Sequence, residues 1–227
     1  MTDTSLVIFD CDGVLVDSEP ISIAVLLEMI GKSGVTMSED DAYDRFLGRS
    51  MATISKVLHE EYGFAASEAD LDEMRTNLYA RFERDLKPIP GIAETLRRLE
   101  LTRCVASSSQ PERIRLSLKL TGLIDLLPHI FSATMVKNGK PAPDLFLFAA
   151  KTMKVHPRDC VVIEDSPAGI EAAKSAGMRV FGFTGGTHSR GGRLEATLAS
   201  LGPDLIFSDM SELPDLLASQ KATLKVR

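Results

Sequence analysis

Residues 7–20 read VIFDCDGVLVDSEP, and the organisation of the whole chain follows from this stretch. It opens as a short apolar run of strand character and then presents two carboxylates, Asp10 and Asp12. Residues i and i+2 of an extended segment share one face, so the two carboxylates can converge on one site. Gly13 allows the backbone to turn sharply or to approach a ligand closely at that point.

Two carboxylates held close together repel each other, so this pair needs a compensating cation or a shared proton. A hard divalent ion such as Mg²⁺, which prefers oxygen ligands, is the natural partner. The alternative is a strand that ends in an aspartate-rich turn without any ion. Residues elsewhere in the chain decide between these two interpretations.

The composition is that of an ordinary globular protein rather than a disordered one. The chain has 227 residues, of which 44% are hydrophobic and 26% charged, so one large or two small domains with a sizeable core are expected. Its net charge of −6 gives no sign of the positive surface with which proteins bind nucleic acid or an anionic membrane. An anionic substrate therefore requires positive charge supplied locally at its site.

Cysteine usage and hydropathy bear on the location of the protein. Cys11, Cys104 and Cys160 form no C-x-x-C pair, so we expect reduced, buried thiols rather than disulfides or a zinc site. The most apolar helical stretch, residues 21–30, is too short to span a bilayer and contains Glu28. We therefore expect a cytoplasmic protein with neither a secretion signal nor a membrane span.

A helical section follows the opening stretch. Apolar residues recur at helical spacing over residues 23–30, and Ser38 begins a second helix with an N-terminal capping composition. Two more helical patterns follow, and no convincing strand pattern occurs between residues 18 and 84. We predict that residues 18–84 form an all-helical cap domain.

Beyond the stiff connector at residues 87–91, short apolar runs alternate with amphipathic helices. This alternation implies a parallel sheet covered on both faces, and the opening strand belongs to it by character. We predict an α/β fold with a Rossmann-like doubly wound parallel sheet core, built from residues 1–17 and 85–227, into which the cap is inserted.

Polar residues follow several of the predicted strands. In such sheets a ligand sits at the carboxyl ends of the strands, so these residues are expected to meet at one edge. The set combines carboxylates with groups that can bind an anion: Asp10, Asp12, Ser107, Lys140, Glu164 and Asp165. Singly, each has a structural alternative as a turn residue, a surface charge or a first-turn helix pair. Together they suit a metal ion and a transferable phosphoryl group.

The chain resembles the haloacid dehalogenase superfamily, and within it the phosphatases and phosphomutases that carry an α-helical cap after the first strand. Four motifs carry the resemblance and span residues 8 to about 177. They are Asp10-x-Asp12-Gly13-Val14-Leu15-x-Asp17-Ser18, the hydroxyl motif at Ser107, Lys140-Pro141-x-Pro143-Asp144, and Glu164-Asp165-Ser166-x-x-Gly169.

This resemblance implies a role for each acid. Asp10 is the expected nucleophile and a Mg²⁺ ligand. Asp12 is the expected general acid/base, and its backbone carbonyl also binds the metal. Asp165 is expected to bind Mg²⁺ directly, and Glu164 either directly or through a water molecule.

The resemblance also implies how the substrate is held. Ser107 and Lys140 are expected to bind the phosphoryl oxygens, with the backbone N–H of Ser108 assisting. Substrate specificity is expected to come from the cap, because a closing lid excludes water and selects the leaving group. Glu19 and the cap-loop residue Arg49 are the candidates for contacts to the rest of the substrate.

Within the superfamily, the sequence favours hydrolysis. Dehalogenases lack the second aspartate, which is present here as Asp12. β-Phosphoglucomutases usually carry a histidine ten residues after that aspartate, where this chain has Ser22, and follow the hydroxyl motif with Lys-Asn, where it has Gln110 and Pro111.

We therefore expect a Mg²⁺-dependent phosphatase that acts, through an aspartyl-phosphate, on a small phosphorylated metabolite such as a sugar, sugar-acid or polyol phosphate. A β-phosphoglucomutase-type phosphomutase and a non-catalytic binding protein on the same fold are the alternatives. The expected state is a monomer or weak homodimer, without a nucleic-acid or membrane partner. The glycine-rich loop over residues 185–192 is interpreted as a mobile connection, and His59, His129 and His156 as structural or surface residues.

Overall fold

The computed structural model describes residues 4–189 and 192–222. Within these residues the chain forms a six-stranded parallel sheet with the order β3-β2-β1-β4-β5-β6. The predicted α/β fold with a parallel, doubly wound sheet is therefore confirmed. The strands are β1 (Leu6–Phe9), β2 (Thr102–Ser107), β3 (Ile130–Ser132), β4 (Cys160–Glu164), β5 (Arg179–Phe183) and β6 (Leu205–Phe207).

Four helices lie between β1 and the rest of the sheet. They are α1 (Glu19–Lys32), α2 (Glu39–Phe46), α3 (Met51–Tyr62) and α4 (Glu68–Asp85). Their apolar faces enclose a core of their own, in which Ile30 and Leu58 are almost fully buried. This is the segment predicted as the cap, and its division from the remainder as a separate domain stays a prediction.

The remaining helices alternate with the strands. They are α5 (Ile92–Arg98), α6 (Pro111–Leu120), α7 (Asp144–Thr152), α8 (Pro167–Ser175), α9 (Arg193–Ser200) and α10 (Leu213–Ala222). The sequence did not lead us to predict α9. Its apolar stripe is short, since Leu198 is its one buried residue, and it begins directly after a glycine-rich loop.

Strand β1 is the centre of the sheet and is buried on both faces. Val7 and Phe9 belong to one hydrophobic core and Leu6 and Ile8 to the other, as the alternation of a strand dictates. Ile8 is in register with Cys104 of β2 and, on the other side, with Val162 of β4. The residues that follow β1 therefore lie between the ends of β2 and β4.

The structure also bears on the cysteines and on membrane-spanning helices. Cys11, Cys104 and Cys160 are free and buried, which confirms the prediction of unpaired thiols. No helix in the described part of the chain is long and apolar enough to cross a membrane.

Candidate active site

The turn after β1 separates the two carboxylates of the opening stretch. The chain turns over residues 11–16, where the Gly13 N–H donates to the Val16 carbonyl (2.8 Å). Gly13 has a φ of +79°, and a Cβ there would lie 1.8 Å from Asp165 Oδ2. Both the conformation and this close approach require glycine. Asp10 and Asp12 consequently contact different neighbours, although both lie at the carboxyl edge of the sheet.

Lys140 joins Asp10 to Glu164. Its ammonium lies 2.8 Å from Asp10 Oδ1 and 2.5 Å from Glu164 Oε1, and all three side chains are buried. Burial opposes the charged form of Lys140, but the two carboxylates outweigh it and raise the pKa of this lysine. The pKa of Asp10 is also raised, first by burial and then by Glu164 and Asp165, against the opposing effect of Lys140.

Glu164 is held by the first turn of the next helix. Its Oε2 accepts hydrogen bonds from the N–H groups of Asp165 and Ser166, both at 3.0 Å, and from the Ser166 hydroxyl at 2.9 Å. Ser166 is the N-cap of α8, and its hydroxyl accepts from the Gly169 N–H. A Cβ on Gly169 would lie 1.8 Å from Glu164 Cδ, so only glycine leaves room for this carboxylate.

The donor set fits a hard divalent cation. Asp10, Glu164 and Asp165 each offer a carboxylate oxygen, and these three atoms lie within 4.8 Å of one another. Lys140 contacts two of the three acids, so negative charge exceeds positive charge in this buried cluster. Asp165 Oδ2 is buried and has no hydrogen-bond partner among the described residues. A cation that takes oxygen ligands resolves both the excess charge and the unpaired oxygen.

Asp12 lies in a separate pocket of donors. Its Oδ1 accepts from the Ser18 hydroxyl (2.6 Å) and from Arg113 Nη2 (2.7 Å), and its Oδ2 from the Ser109 hydroxyl (2.7 Å). The Ser107 hydroxyl lies 3.4 Å from the same oxygen. Burial disfavours the ionised form, but Arg113 and these hydrogen bonds outweigh it and lower the pKa of Asp12.

Arg113 was not predicted as a site residue. It lies in the first turn of α6, where its Nη2 also donates to the hydroxyl of Ser22 (2.9 Å) and its guanidinium stacks over Phe82 of α4. Ser22 is the position at which a phosphoglucomutase histidine is expected. The signal available in the sequence was a cation shortly after the hydroxyl motif, on the helix that leaves the sheet edge.

The two cap candidates for substrate contacts lie in different surroundings. Glu19 is buried, and burial followed by the charges of Asp12 and Asp165 raises its pKa to about 8. Arg49, in contrast, has an exposed side chain and forms no ion pair with any residue that the structure describes. The contact from its loop is made by the neighbouring Gly48, whose carbonyl accepts from the Ser108 hydroxyl (3.0 Å).

The loop after β5 packs against the site. Both the N–H and the hydroxyl of Thr187 donate to Asp17 Oδ1, at 3.1 and 2.9 Å. Within the loop that was interpreted as a mobile connection, residues 185–189 thus contact the core, while residues 190–191 lie outside the described part. The glycines were a signal for this packing, because a Cβ on Gly186 would lie 3.2 Å from the Gly13 carbonyl.

His188 is the second site residue that the sequence analysis missed. Its side chain is fully buried, and its Nε2 lies 2.9 Å from Asp165 Oδ2. Burial lowers the pKa of this imidazole, against the opposing effect of Glu19 and Asp17. No local sequence pattern places a histidine from the loop after β5 beside the carboxylate that follows β4.

Comparisons with known proteins show which family the chain resembles. Residues 7–183 match the sequence profile of the haloacid dehalogenase-like hydrolase family. The chain is 28% identical to the 6-phosphogluconate phosphatase of Escherichia coli K12, over 95% of this chain and 96% of that protein. It is 29% identical to the β-phosphoglucomutase of Bacillus subtilis 168, over 97% of each chain.

Solved structures are also similar to this chain. A crystal structure of a haloacid dehalogenase-like protein from Agrobacterium tumefaciens C58 superposes with a TM-score of 0.81 and 38% sequence identity. The alignment covers 96% of this chain and 99% of that one, so it includes the inserted helices as well as the sheet.

Proposed function

Because this chain belongs to the haloacid dehalogenase-like hydrolase family and is a phosphatase, we propose that it hydrolyses a small phosphorylated metabolite with the aid of Mg²⁺. The proposed substrate is a sugar, sugar-acid or polyol phosphate. The observation that carries the proposal is the buried cluster of Asp10, Glu164 and Asp165 around Lys140, at the edge of the sheet where a ligand binds.

We propose that the carboxylates of Asp10, Glu164 and Asp165 hold the Mg²⁺ ion, together with the backbone carbonyl of Asp12. When bound, the ion supplies positive charge that offsets the repulsion among the acids and the charge of the phosphoryl oxygens. Lys140 adds a fixed positive charge, because its pKa is raised and it stays protonated. The Ser107 hydroxyl and the Ser108 N–H complete the proposed phosphoryl site.

The proposed reaction has two steps. An oxygen of Asp10 attacks phosphorus and forms an O–P bond, while the bond from phosphorus to the leaving oxygen breaks and Asp12 gives that oxygen a proton. Asp12 then takes a proton from water as the water attacks phosphorus, which releases phosphate and restores Asp10. Arg113 lowers the pKa of Asp12 and so favours the ionised form that accepts the proton from water. The proton that Asp12 gives to the leaving oxygen is the one that it took from water in the preceding turnover.

The names of two relatives support the proposed substrate class. One acts on 6-phosphogluconate according to its name, and the other is a mutase of phosphorylated glucose, so both names point to phosphorylated carbohydrates. The mutase is the second candidate function, and its similarity over 97% of each chain favours it. Ser22 favours hydrolysis, because its hydroxyl binds Arg113 where a mutase histidine is expected.

The test is release of inorganic phosphate from a panel of sugar, sugar-acid and polyol phosphates, measured as kcat/KM with Mg²⁺ and with EDTA. We expect turnover that EDTA abolishes, and an Asp10→Asn variant that loses on the order of 10⁴-fold in kcat. Asp125→Asn, at an exposed position of the same core, is the matched control and should keep full activity.

Two results would contradict the proposal. An Asp10→Asn protein with ordinary turnover would exclude the aspartyl-phosphate. Conversion of a hexose 1-phosphate to its isomer in the presence of a sugar bisphosphate, without net release of phosphate, would show the mutase instead.

A further inference from the structure

Three buried polar atoms meet beside the proposed metal site without hydrogen-bond partners among the described residues. They are Asp165 Oδ2 and the two ring nitrogens of His188. The side chains of both residues are at most 1% exposed, so bulk water does not compensate them. Buried polar groups are nearly always paired in native proteins, and unpaired ones clustered at a site indicate a function.

The separation of the two residues fits a hydrogen bond. His188 Nε2 lies 2.9 Å from Asp165 Oδ2, the usual distance for N–H donation to oxygen. Donation from His188 Nε2 to Asp165 Oδ2 pairs two of these three atoms. Asp165 belongs to the three-carboxylate cluster, so such a bond fixes the orientation of a proposed metal ligand.

His188 is itself held from two further directions. A Cβ on Gly186 would lie 2.5 Å from His188 Cε1, so the loop backbone presses directly on the ring. The ring of Tyr43 also stacks on the imidazole, with centroids 6.2 Å apart and planes at 27°. Tyr43 belongs to α2, one of the inserted helices, and the next residue, Asp44, pairs with Arg193 of α9.

We propose that His188 is a positioning residue that donates a hydrogen bond from Nε2 to Asp165 Oδ2 and thereby raises the affinity of the site for a divalent cation. The stacking of Tyr43 on its ring makes that affinity depend on the docking of α2 against the core. This inference rests on the proposed function, because it takes Asp10, Glu164 and Asp165 to be a metal site. His188 orients the site without touching the reacting atoms.

The experiment is direct titration with Mn²⁺, in which electron paramagnetic resonance measures the free ion and yields Kd without any turnover. His188→Leu, which removes the donor, should raise the Kd by roughly 10- to 100-fold. His188→Gln, which keeps an N–H donor at the same reach, should bind within about threefold of the wild type. Tyr43→Leu should weaken binding in the same direction as His188→Leu. His129→Leu, at an exposed position of the core, is the matched control and should bind as the wild type does.

Each outcome bears on a different part of the proposal. Unchanged binding by His188→Leu would overturn it, and so would equal losses in the Leu and Gln variants, which indicate packing rather than donation. If His188→Leu does not fold, as judged by circular dichroism, weak binding by folded His188→Gln overturns the proposal and near-normal binding supports it. Asp165→Asn should abolish binding. A wild-type protein that binds no Mn²⁺ would overturn the metal site, and the proposed function with it, whereas the variants above test His188 alone.

Discussion

Glu19 shows what the burial of a single acid does to this protein. It lies in the first turn of α1 and is 7% exposed, and burial is the largest cause that raises its pKa from 4.5 to about 8. Between these two values the folded protein keeps the proton on Glu19, whereas the unfolded chain releases it. The stabilisation is therefore complete below pH 4.5 and is lost as the pH rises toward 8.

We predict that Glu19→Gln flattens this dependence. At pH 8 the variant should be more stable than the wild type by about 4 kcal/mol, since a tenfold change in proton affinity corresponds to about 1.4 kcal/mol. Near pH 4.5 the two proteins should differ little. Urea unfolding at both pH values, in EDTA, measures the difference. Glu171→Gln, at an exposed position of α8, is the control, and a parallel response of the two variants would contradict the prediction.

At the scale of residues, the sequence predicted some members of the site and missed others for a physical reason. Asp10, Glu164 and Asp165 follow apolar strands directly, so their convergence at one sheet edge was predictable from strand order alone. Arg113 reaches Asp12 across 101 residues of sequence, and His188 enters from a loop. Their contacts depend on how far a side chain extends after folding, which no spacing encodes.

The turn from β4 into α8 is the element that supports the acidic cluster. It combines the N-cap Ser166, the carboxylate Glu164 and a glycine one turn into the helix. Alanine is normally favoured over glycine inside a helix by about 1 kcal/mol. At position 169 this preference is reversed, because a Cβ would lie 1.9 Å from Glu164 Oε1.

We predict that Gly169→Ala destabilises the protein by about 1–3 kcal/mol, the usual cost of overpacking, and weakens divalent-cation binding because Glu164 must move. Gly31→Ala is the matched control. Gly31 also lies in a helix, but a Cβ there meets nothing within 4 Å, so this change should stabilise by up to about 1 kcal/mol. Chemical unfolding and Mn²⁺ titration check both variants. A Gly169→Ala protein as stable as Gly31→Ala would show that Glu164 has other room.

Some helices and strands were easier to predict from the sequence than others. The strands are short runs of apolar residues flanked by polar ones, and their alternation with helices is the pattern from which the parallel sheet was predicted. The inserted helices were predicted from apolar residues at helical spacing and from caps such as Ser38, whose hydroxyl accepts from the Asp41 N–H. Helix α9 was missed because it buries only Leu198, which leaves almost no periodic signal.

At the scale of the whole molecule, the inserted helices are docked on the sheet edge through a few close contacts. Ser108 donates to the Gly48 carbonyl, Arg113 donates to Ser22, and Arg193 pairs with Asp44. The sequence indicated that these helices would cover the site, and it named Arg49 in their loop as a candidate for a substrate contact, which stays a prediction. In the docked arrangement Arg49 is exposed, and the backbone of the same loop lies against the core.

Gly48 sets how closely the two parts of the molecule approach. It has a φ of +71°, and a Cβ there would lie 2.2 Å from Ser166 Oγ at the start of α8. Gly63, which ends α3, has a similar φ of +66°, but a Cβ there meets nothing within 4 Å. Alanine at either position bears a similar backbone strain of roughly 1–2 kcal/mol. Only at position 48 would the alanine side chain also clash with the core and hold the inserted helices away from it.

We therefore predict that Gly48→Ala lowers kcat/KM for the metabolite substrate by about 10²-fold, because a displacement of about 1 Å disturbs groups that must close over the substrate. Gly63→Ala should keep kcat/KM within about twofold while losing similar stability. A small generic ester such as p-nitrophenyl phosphate lacks the sugar or polyol part that the inserted helices are expected to contact, so Gly48→Ala should hydrolyse it with a much smaller loss of kcat/KM. Equal losses of kcat/KM in the two variants would mean that strain alone is responsible. Equal losses of kcat/KM for the two substrates would mean that the change at position 48 disturbs the phosphoryl site rather than closure of the inserted helices. The two substrates together therefore distinguish altered docking of the helices from damage to the catalytic groups.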